Sequence, residues 1–360
     1  MPFPSFDYME FAKLDHGDRV RFPLSGSGFN LEESDLVQVD PVRGLLSRQP
    51  DYGHPAIRAL IAERYGVTSE EALPVAGTSL GIFLVAAAIL STGDHVLVER
   101  PAYEALLRVP EALGAVVDRF ERSFEEDWRV DPKRVLESLH PMTKLIVVSN
   151  LHNPTGVRLS KEVEAALVDL AAERGITLFV DEVYRDFLEG PVGTAYRPGA
   201  PVVVASSLTK VYGLGGLRAG WLIGPPDLLA RAARVVDLLH VNDPAPMLPF
   251  VRAGFGAADR LRERHLAHSR QGRARLDAWM RGHGEFGWVP PDGGLCSFPR
   301  LPFGWNGTEV HDRLLREEGT LVVPGRFFED DGHIRVGVGA SPEFLAAGLD
   351  ALERVVGRPR

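Results

Sequence analysis

Ser206-Ser207-Leu208-Thr209-Lys210-Val211-Tyr212-Gly213-Leu214-Gly215-Gly216-Leu217-Arg218-Ala219-Gly220-Trp221 is the stretch that decides the reading of this chain. It follows an apolar run, Pro201 to Ala205, with the composition of a buried strand. It then gives one lysine, a glycine-rich loop and an arginine eight positions after the lysine. Lysine is scarce: the chain holds five (Lys13, Lys133, Lys144, Lys161 and Lys210) against 35 arginines. Arginine stays protonated, so a lysine kept in such a chain points to an amine that must lose its proton and attack a carbonyl. The other four lysines have ordinary surface settings, in a polar arm (Lys13), an amphipathic stretch (Lys133), before a strand (Lys144) and at a helix start (Lys161).

At 360 residues the chain fits about two domains. It is 45% hydrophobic and 25% charged, as soluble globular enzymes are. A net charge of −9 argues against a general nucleic-acid or anionic-membrane partner. Cys296 is the single cysteine, so no intrachain disulfide forms, and no zinc-type neighbours surround it; no metal is expected. Met1 to Asp7 lacks the basic start and apolar core of a signal peptide. The longest apolar run, Ile82 to Leu90, is too short for a bilayer. The expected location is cytoplasmic.

Outward from Lys210 a rhythm appears between residue 73 and about 225. The apolar runs Leu73 to Ala76, His95 to Val98, Leu145 to Val148, Ile176 to Val180 and Val202 to Ala205 alternate with helical stretches. These stretches include Ser79 to Leu90, Tyr103 to Leu113 and Lys161 to Arg174. Such alternation predicts a mainly parallel sheet with helices on both faces, and ligands then gather at the carboxyl ends of the strands. Upstream lie an arm to about residue 30 with little structure of its own, a weakly helical Leu31 to Leu46, and a helix from Ala56 to Tyr65 closed by Gly66. Downstream, Pro249 to Gly282 reads as a long helix. The rest reads as α+β: strands Leu295 to Phe298, Leu321 to Val323 and His333 to Val338, and helices Thr308 to Glu318 and Pro342 to Val356.

The strand ends carry polar groups that suit a phosphorylated aromatic aldehyde. Thr78 and Ser79 stand at a helix start, and Ser207 and Arg218 flank Lys210; together they would give a phosphate hydroxyls, backbone N–H groups and a cation. Asp181 closes an apolar strand and could face a protonated ring nitrogen. Asn153 and Tyr184 could bond a ring hydroxyl, and Tyr103 could stack on the ring. Taken singly, each has a structural alternative: Asp181-Glu182 as a helix-capping pair, Asn153 to Gly156 as a turn, Tyr103 as core.

Taken together, Gly77-Thr78-Ser79, Pro101-Ala102-Tyr103, Asn153-Pro154-Thr155-Gly156, Asp181-Glu182-Val183-Tyr184, Ser207-x-x-Lys210 with Arg218, Pro324-Gly325 and Ile334-Arg335-Val336-Gly337 run in order through nearly the whole chain. In this the chain resembles the class I/II aminotransferase superfamily, pyridoxal-phosphate enzymes of fold type I. The resemblance implies an α/β fold: a large domain (41–275) with a mainly parallel seven-stranded sheet between helices, a small α+β domain (276–360), and an N-terminal arm (1–40) that joins the small domain. It implies pyridoxal 5′-phosphate as cofactor, with Lys210 as the Schiff-base lysine, Asp181 at the pyridine nitrogen, and Asn153 and Tyr184 at the ring hydroxyl. Tyr103 stacks, and Gly77, Thr78, Ser79, Ser207 and Arg218 form the phosphate cup. Arg335 holds the substrate carboxylate in its planar fork, with Asn153 and the backbone of Gly26 (chosen over Gly28) beside it. The resemblance further implies amino-acid and 2-oxo-acid substrates and a homodimer with its sites at the interface. One position departs from the pattern: Tyr52, the candidate for reaching the partner subunit's phosphate, abuts Gly53 with no spacer.

The expected activity is ping-pong transamination. The same motifs serve a β-lyase, a decarboxylase or an oxidase, and a non-catalytic regulator is a further alternative, opposed by the presence of Lys210 and Asp181. A nicotinamide dehydrogenase is opposed by Gly77-Thr78-Ser79-Leu80-Gly81, which lacks the Gly-x-Gly-x-x-Gly spacing. Arg21, His54 and His152 are candidates to touch substrate, though solvated or structural roles fit them better.

Overall fold

The structure is a computed structural model that describes residues 7, 8, 11, 19–27, 54–191, 193–239, 244 and 246–357. The predicted helix at Leu31 to Leu46, together with Gly28 and Tyr52, lies outside the described residues. After β1 (Phe22–Pro23), seven strands form one sheet: β2 (Ala72–Val75), β3 (His95–Arg100), β4 (Val116–Glu121), β5 (Thr143–Ser149), β6 (Thr177–Asp181), β7 (Val202–Ser207) and β8 (Gly220–Ile223). Their order is β2-β8-β7-β6-β5-β3-β4, with β8 antiparallel to both neighbours and the other pairs parallel. The five expected strands are present, with bounds moved by a few residues. Two others escaped the sequence reading. β4 (Val-Val-Asp-Arg-Phe-Glu) is a partly polar edge strand, and β8 is four residues emerging from the glycine loop.

The sheet is buried on both sides because its strands are apolar at nearly every position. The pleat divides them by parity. Leu97, Ile146, Val148, Leu178, Val180, Val202 and Val204 join one cluster, while Val96, Val98, Leu145, Val147, Phe179, Val203 and Ala205 join another. Helices cover the faces. Lys161–Arg174 starts at Ser160, whose side chain accepts from the Val163 N–H, and ends at Gly175 in the left-handed region (φ 62°).

A third cluster contains Leu24, Leu276, Met280, Val310, Ile334, Val336, Leu345 and Leu352. It packs helices Gly307–Arg313 and Pro342–Val356 on β12 (Ile334–Gly337), near the short strands β9 (Cys296–Ser297), β10 (Thr320–Leu321) and β11 (Val323–Pro324). The 36-residue helix Met247–Gly282 gives Val251 and Leu261 to the first cluster and Leu276 and Met280 to this one. Three expectations change in detail. The single strand at Leu321 to Val323 is two, because β10 pairs with β1 whereas β11 pairs with β12. The helix expected over Thr308 to Glu318 widens at Leu314–Glu318 and stops at Gly319. The arm is tied down, since β1 pairs with β10 and Leu24 is buried.

A buried ion pair fixes the ends of β3 and β5. Arg122 Nη1 donates to Glu99 Oε2 at 2.9 Å, and both side chains are fully buried. Glu99 Oε1 accepts from the Ser149 N–H at 2.7 Å and from its hydroxyl at 2.5 Å, while Arg122 Nε donates to the Trp128 carbonyl at 2.6 Å. Burial still holds the Glu99 carboxyl above its usual pKa, against the pull of Arg122. Arg122→Met should therefore strand a buried carboxylate and destabilise the fold by about 3–5 kcal/mol, read from urea unfolding at neutral pH. A loss below about 1 kcal/mol would show that Glu99 finds another partner.

Candidate active site

Every predicted loop lies at the same edge of the sheet. Gly77-Thr78-Ser79 follows β2 and opens helix Thr78–Ile89. Tyr103 follows β3, Asn153 follows β5, Asp181 ends β6, and Ser207 ends β7 three residues before Lys210. Arg218 then precedes β8, which returns antiparallel and brings the arginine beside the first loop. A side chain at Gly77 (φ 86°) would meet Arg218 Nη2 at 2.3 Å, and one at Gly220 would meet the Gly77 backbone at 2.8 Å. Both positions therefore require glycine.

These loops enclose a cavity of about 520 Å³. Thr78, Ser79, Tyr103, Asn153, Asp181, Tyr184, Lys210 and Arg218, all named from the sequence, line it. Four predicted residues are not in its wall. Gly77 lies under Arg218. Ser207 is buried, its hydroxyl accepting from the Thr209 N–H at 3.3 Å. Gly26 is exposed and packs its carbonyl against Gly337. Arg335 is fully buried behind Asn153 and Tyr8, donating to Asn153 Oδ1 (3.2 Å), the Tyr8 hydroxyl (2.8 Å) and the Ser25 carbonyl (3.1 Å). His152 is also buried, bonded to Thr155 and to the Pro101 carbonyl, and holds loops together.

The wall includes side chains that the sequence did not single out: Tyr8, Ser27, Ile82, Val183 and Thr209. Ser27 crosses the site. Its hydroxyl accepts from Lys210 Nζ at 2.8 Å, and its carbonyl accepts from the Tyr184 hydroxyl at 3.0 Å. Tyr8 stands edge-on to Tyr103, with ring centroids 5.7 Å apart. No local pattern in the arm marks either residue. Ser27 meets Tyr184 and Lys210, and the Tyr8 hydroxyl meets Arg335, all across more than 150 positions.

Burial shapes the electrostatics. It pushes the Asp181 carboxyl up to about 6, against the Val183 N–H that bonds its Oδ1 at 3.1 Å; Glu99 adds to the rise and Lys210 opposes it. The Lys210 ammonium loses water and falls below its ordinary pKa, although Tyr8, Cys296 and Asp181 pull the other way. Burial also raises the Tyr184 phenol well above its usual value. The cavity thus pairs an amine that gives up its proton readily with a buried carboxyl that ionises near neutrality, the pattern of a site that moves protons. Among the described residues, no group of three or more His, Cys, Asp or Glu is placed to hold a metal ion. No described helix is long and apolar enough to cross a membrane.

Comparison with known proteins agrees with this geometry. Residues 43–352 match the family described as aminotransferase class I and II. Capreomycidine synthase of Streptomyces vinaceus is 30% identical over 313 residues, covering 86% of this chain and 80% of that protein. Aspartate/prephenate aminotransferase of Thermus thermophilus is 30% identical over 335 residues, covering 88% and 85%. The crystal structure of a PLP-dependent aminotransferase from Streptococcus suis superposes with a TM-score of 0.88 at 25% identity, over 100% of both chains. The chain belongs to the class I and II aminotransferases and is a pyridoxal-phosphate-dependent enzyme of fold type I.

Proposed function

We propose that the protein moves the amino group of an L-amino acid to a 2-oxo acid in two ping-pong half-reactions, with Lys210 as both the covalent anchor of the cofactor and the proton carrier. The observation that carries this reading is the Lys210 amine, lowered in pKa by burial, in one cavity with the buried Asp181 carboxyl.

The residues present fit pyridoxal phosphate. The absence of a Cβ at Gly77 leaves Arg218 seated over the N-terminus of helix Thr78–Ile89, where N–H groups, the Thr78 and Ser79 hydroxyls and the guanidinium suit a phosphate. Ser207 would join them once its hydroxyl turns from Thr209. When bound, the cofactor supplies an aldehyde and an electron-withdrawing pyridinium ring. Asp181 would hold the proton on the ring nitrogen, Asn153 and Tyr184 would bond the ring hydroxyl, and Tyr103 would cover one ring face. Arg335, with Asn153 and the Gly26 backbone, would fix the substrate carboxylate and so the direction of the Cα–H bond. Lys210 Nζ, when free as an amine, would take the substrate Cα proton and carry it as the general acid–base group. The same reading includes the domain limits 1–40, 41–275 and 276–360, a cytoplasmic location and a homodimer. Leu238 and Leu239, 86% and 50% exposed, offer apolar area for a second copy to cover.

A second reading, another pyridoxal-phosphate reaction such as β-elimination, decarboxylation or oxidation, has one observation in its favour: a relative at 30% identity is named a synthase. Ammonia with pyruvate, carbon dioxide or peroxide as product would establish it.

Two measurements bear on the proposal. In a panel of L-amino acids without an oxo-acid acceptor, at least one donor should convert the cofactor stoichiometrically to its amine form, and Lys210→Ala should not. Failure of every donor would contradict transamination. The second follows from Asp181. The folded chain binds that proton more tightly than the unfolded chain, so stability falls as pH rises from about 4 to about 6. Cofactor-free Asp181→Asn should be more stable than the parent at pH 8, by up to about 3 kcal/mol, with little difference below pH 4. Equal stability at pH 8 would place the carboxylate in a wetter setting.

A further inference from the structure

Arg335 is the side chain this reading assigns to the substrate carboxylate, yet no part of it is open to the cavity. What covers it is Tyr8. The phenol oxygen accepts from Arg335 Nη2 at 2.8 Å, and the Arg335 guanidinium stands 5.2 Å from the Tyr8 ring centroid. The ring is wedged edge-on to Tyr103 and among Phe327 and Phe328, with centroids 5.7 to 6.0 Å away. Its backbone is tethered at the other end: Glu104 accepts from the N–H groups of Asp7 (3.2 Å) and Tyr8 (2.6 Å), and Arg108 holds Glu104 at 2.9 Å. Tyr8 thus joins the loop after β3 to the arginine on β12 and lines the cavity on its inner side.

We propose that Tyr8 is a gate exchanged by substrate, its hydroxyl occupying on Arg335 the position of one carboxylate oxygen until an amino acid arrives. The inference rests on Arg335 being the carboxylate site. The exchange runs toward substrate because a carboxylate is a stronger, charge-assisted acceptor than a neutral phenol and can meet the arginine fork with two oxygens. Arg335 Nε, buried and without a hydrogen bond among the described residues, offers a further donor to the incoming anion. Phenol and carboxylate compete for the same nitrogen, so the gate taxes all amino donors alike, whatever their side chain.

The test uses the holoenzyme in single-turnover half-reactions with L-alanine, L-phenylalanine, L-aspartate and L-arginine, separating apparent dissociation constant from rate at saturation. Tyr8→Phe keeps the ring and removes the competing hydroxyl. It should tighten every reacting donor about two- to tenfold while the rate at saturation changes by less than about twofold. Unchanged or weaker binding, or a gain confined to donors with large side chains, would overturn the gate. An unchanged thermal midpoint for Tyr8→Phe shows that the fold is intact. Arg335→Lys separates the two ideas. A loss of donor affinity above about tenfold supports Arg335 as the carboxylate site whatever Tyr8→Phe does, and an unchanged affinity would overturn that assignment and the gate with it.

Discussion

Parallel pairing of β5, β6 and β7 in one register sets Ser149, Asp181 and Ala205 abreast at the edge of the sheet. Much of the site follows from that constraint. A strand apolar along its length can end on a carboxylate only where neighbouring strand ends supply hydrogen-bonding groups, and those neighbours carry Asn153 on one side and the Lys210 loop on the other. β8 then returns antiparallel and closes the ring by laying Arg218 against Gly77. Backbone geometry therefore gathers residues separated by more than a hundred positions, and the loops need only point inward.

The sheet edge holds ionisable groups in places that burial makes unfavourable, and the fold satisfies them with partners that are buried or half-buried. Glu99 is matched by Arg122 and Ser149. Glu182, which burial pushes up to about 8, is met by Arg185 at 3.1 Å and by the Ala195 N–H at 2.6 Å. Asp181 and Lys210 are left less well matched, with one backbone N–H and one serine hydroxyl respectively. That contrast sets Asp181 and Lys210 apart from the well-matched pairs around them and is what supports the proposed roles of both. Holding the Asp181 carboxyl where burial disfavours its charge costs the fold stability above about pH 6.

Much of this was legible in the sequence wherever a local pattern carried the physics. The alternation of β-branched runs and capped helices located five strands, and polar residues just past those runs located most of the cavity wall. Strands β4 and β8 were hidden for physical reasons, an edge strand being half wet and a four-residue strand too short for a period. Tyr8 and Ser27 were hidden for another. They reach Arg335 and Lys210 across 327 and 183 positions, so their roles come from tertiary packing alone. Arg335 stands out in the sequence by its motif, but its burial behind Tyr8 is a property of the folded chain. Tyr52 and Gly28 lie outside the described residues and stay as the sequence presents them.

In the proposed mechanism Lys210, alone among five lysines, forms the covalent link to the cofactor. Borohydride reduction of the holoenzyme followed by peptide mass spectrometry tests it most directly. One stable pyridoxyl adduct per chain is expected, on the peptide containing Lys210. An adduct on Lys13, Lys133, Lys144 or Lys161, or no adduct on a protein that retains the cofactor, would contradict it.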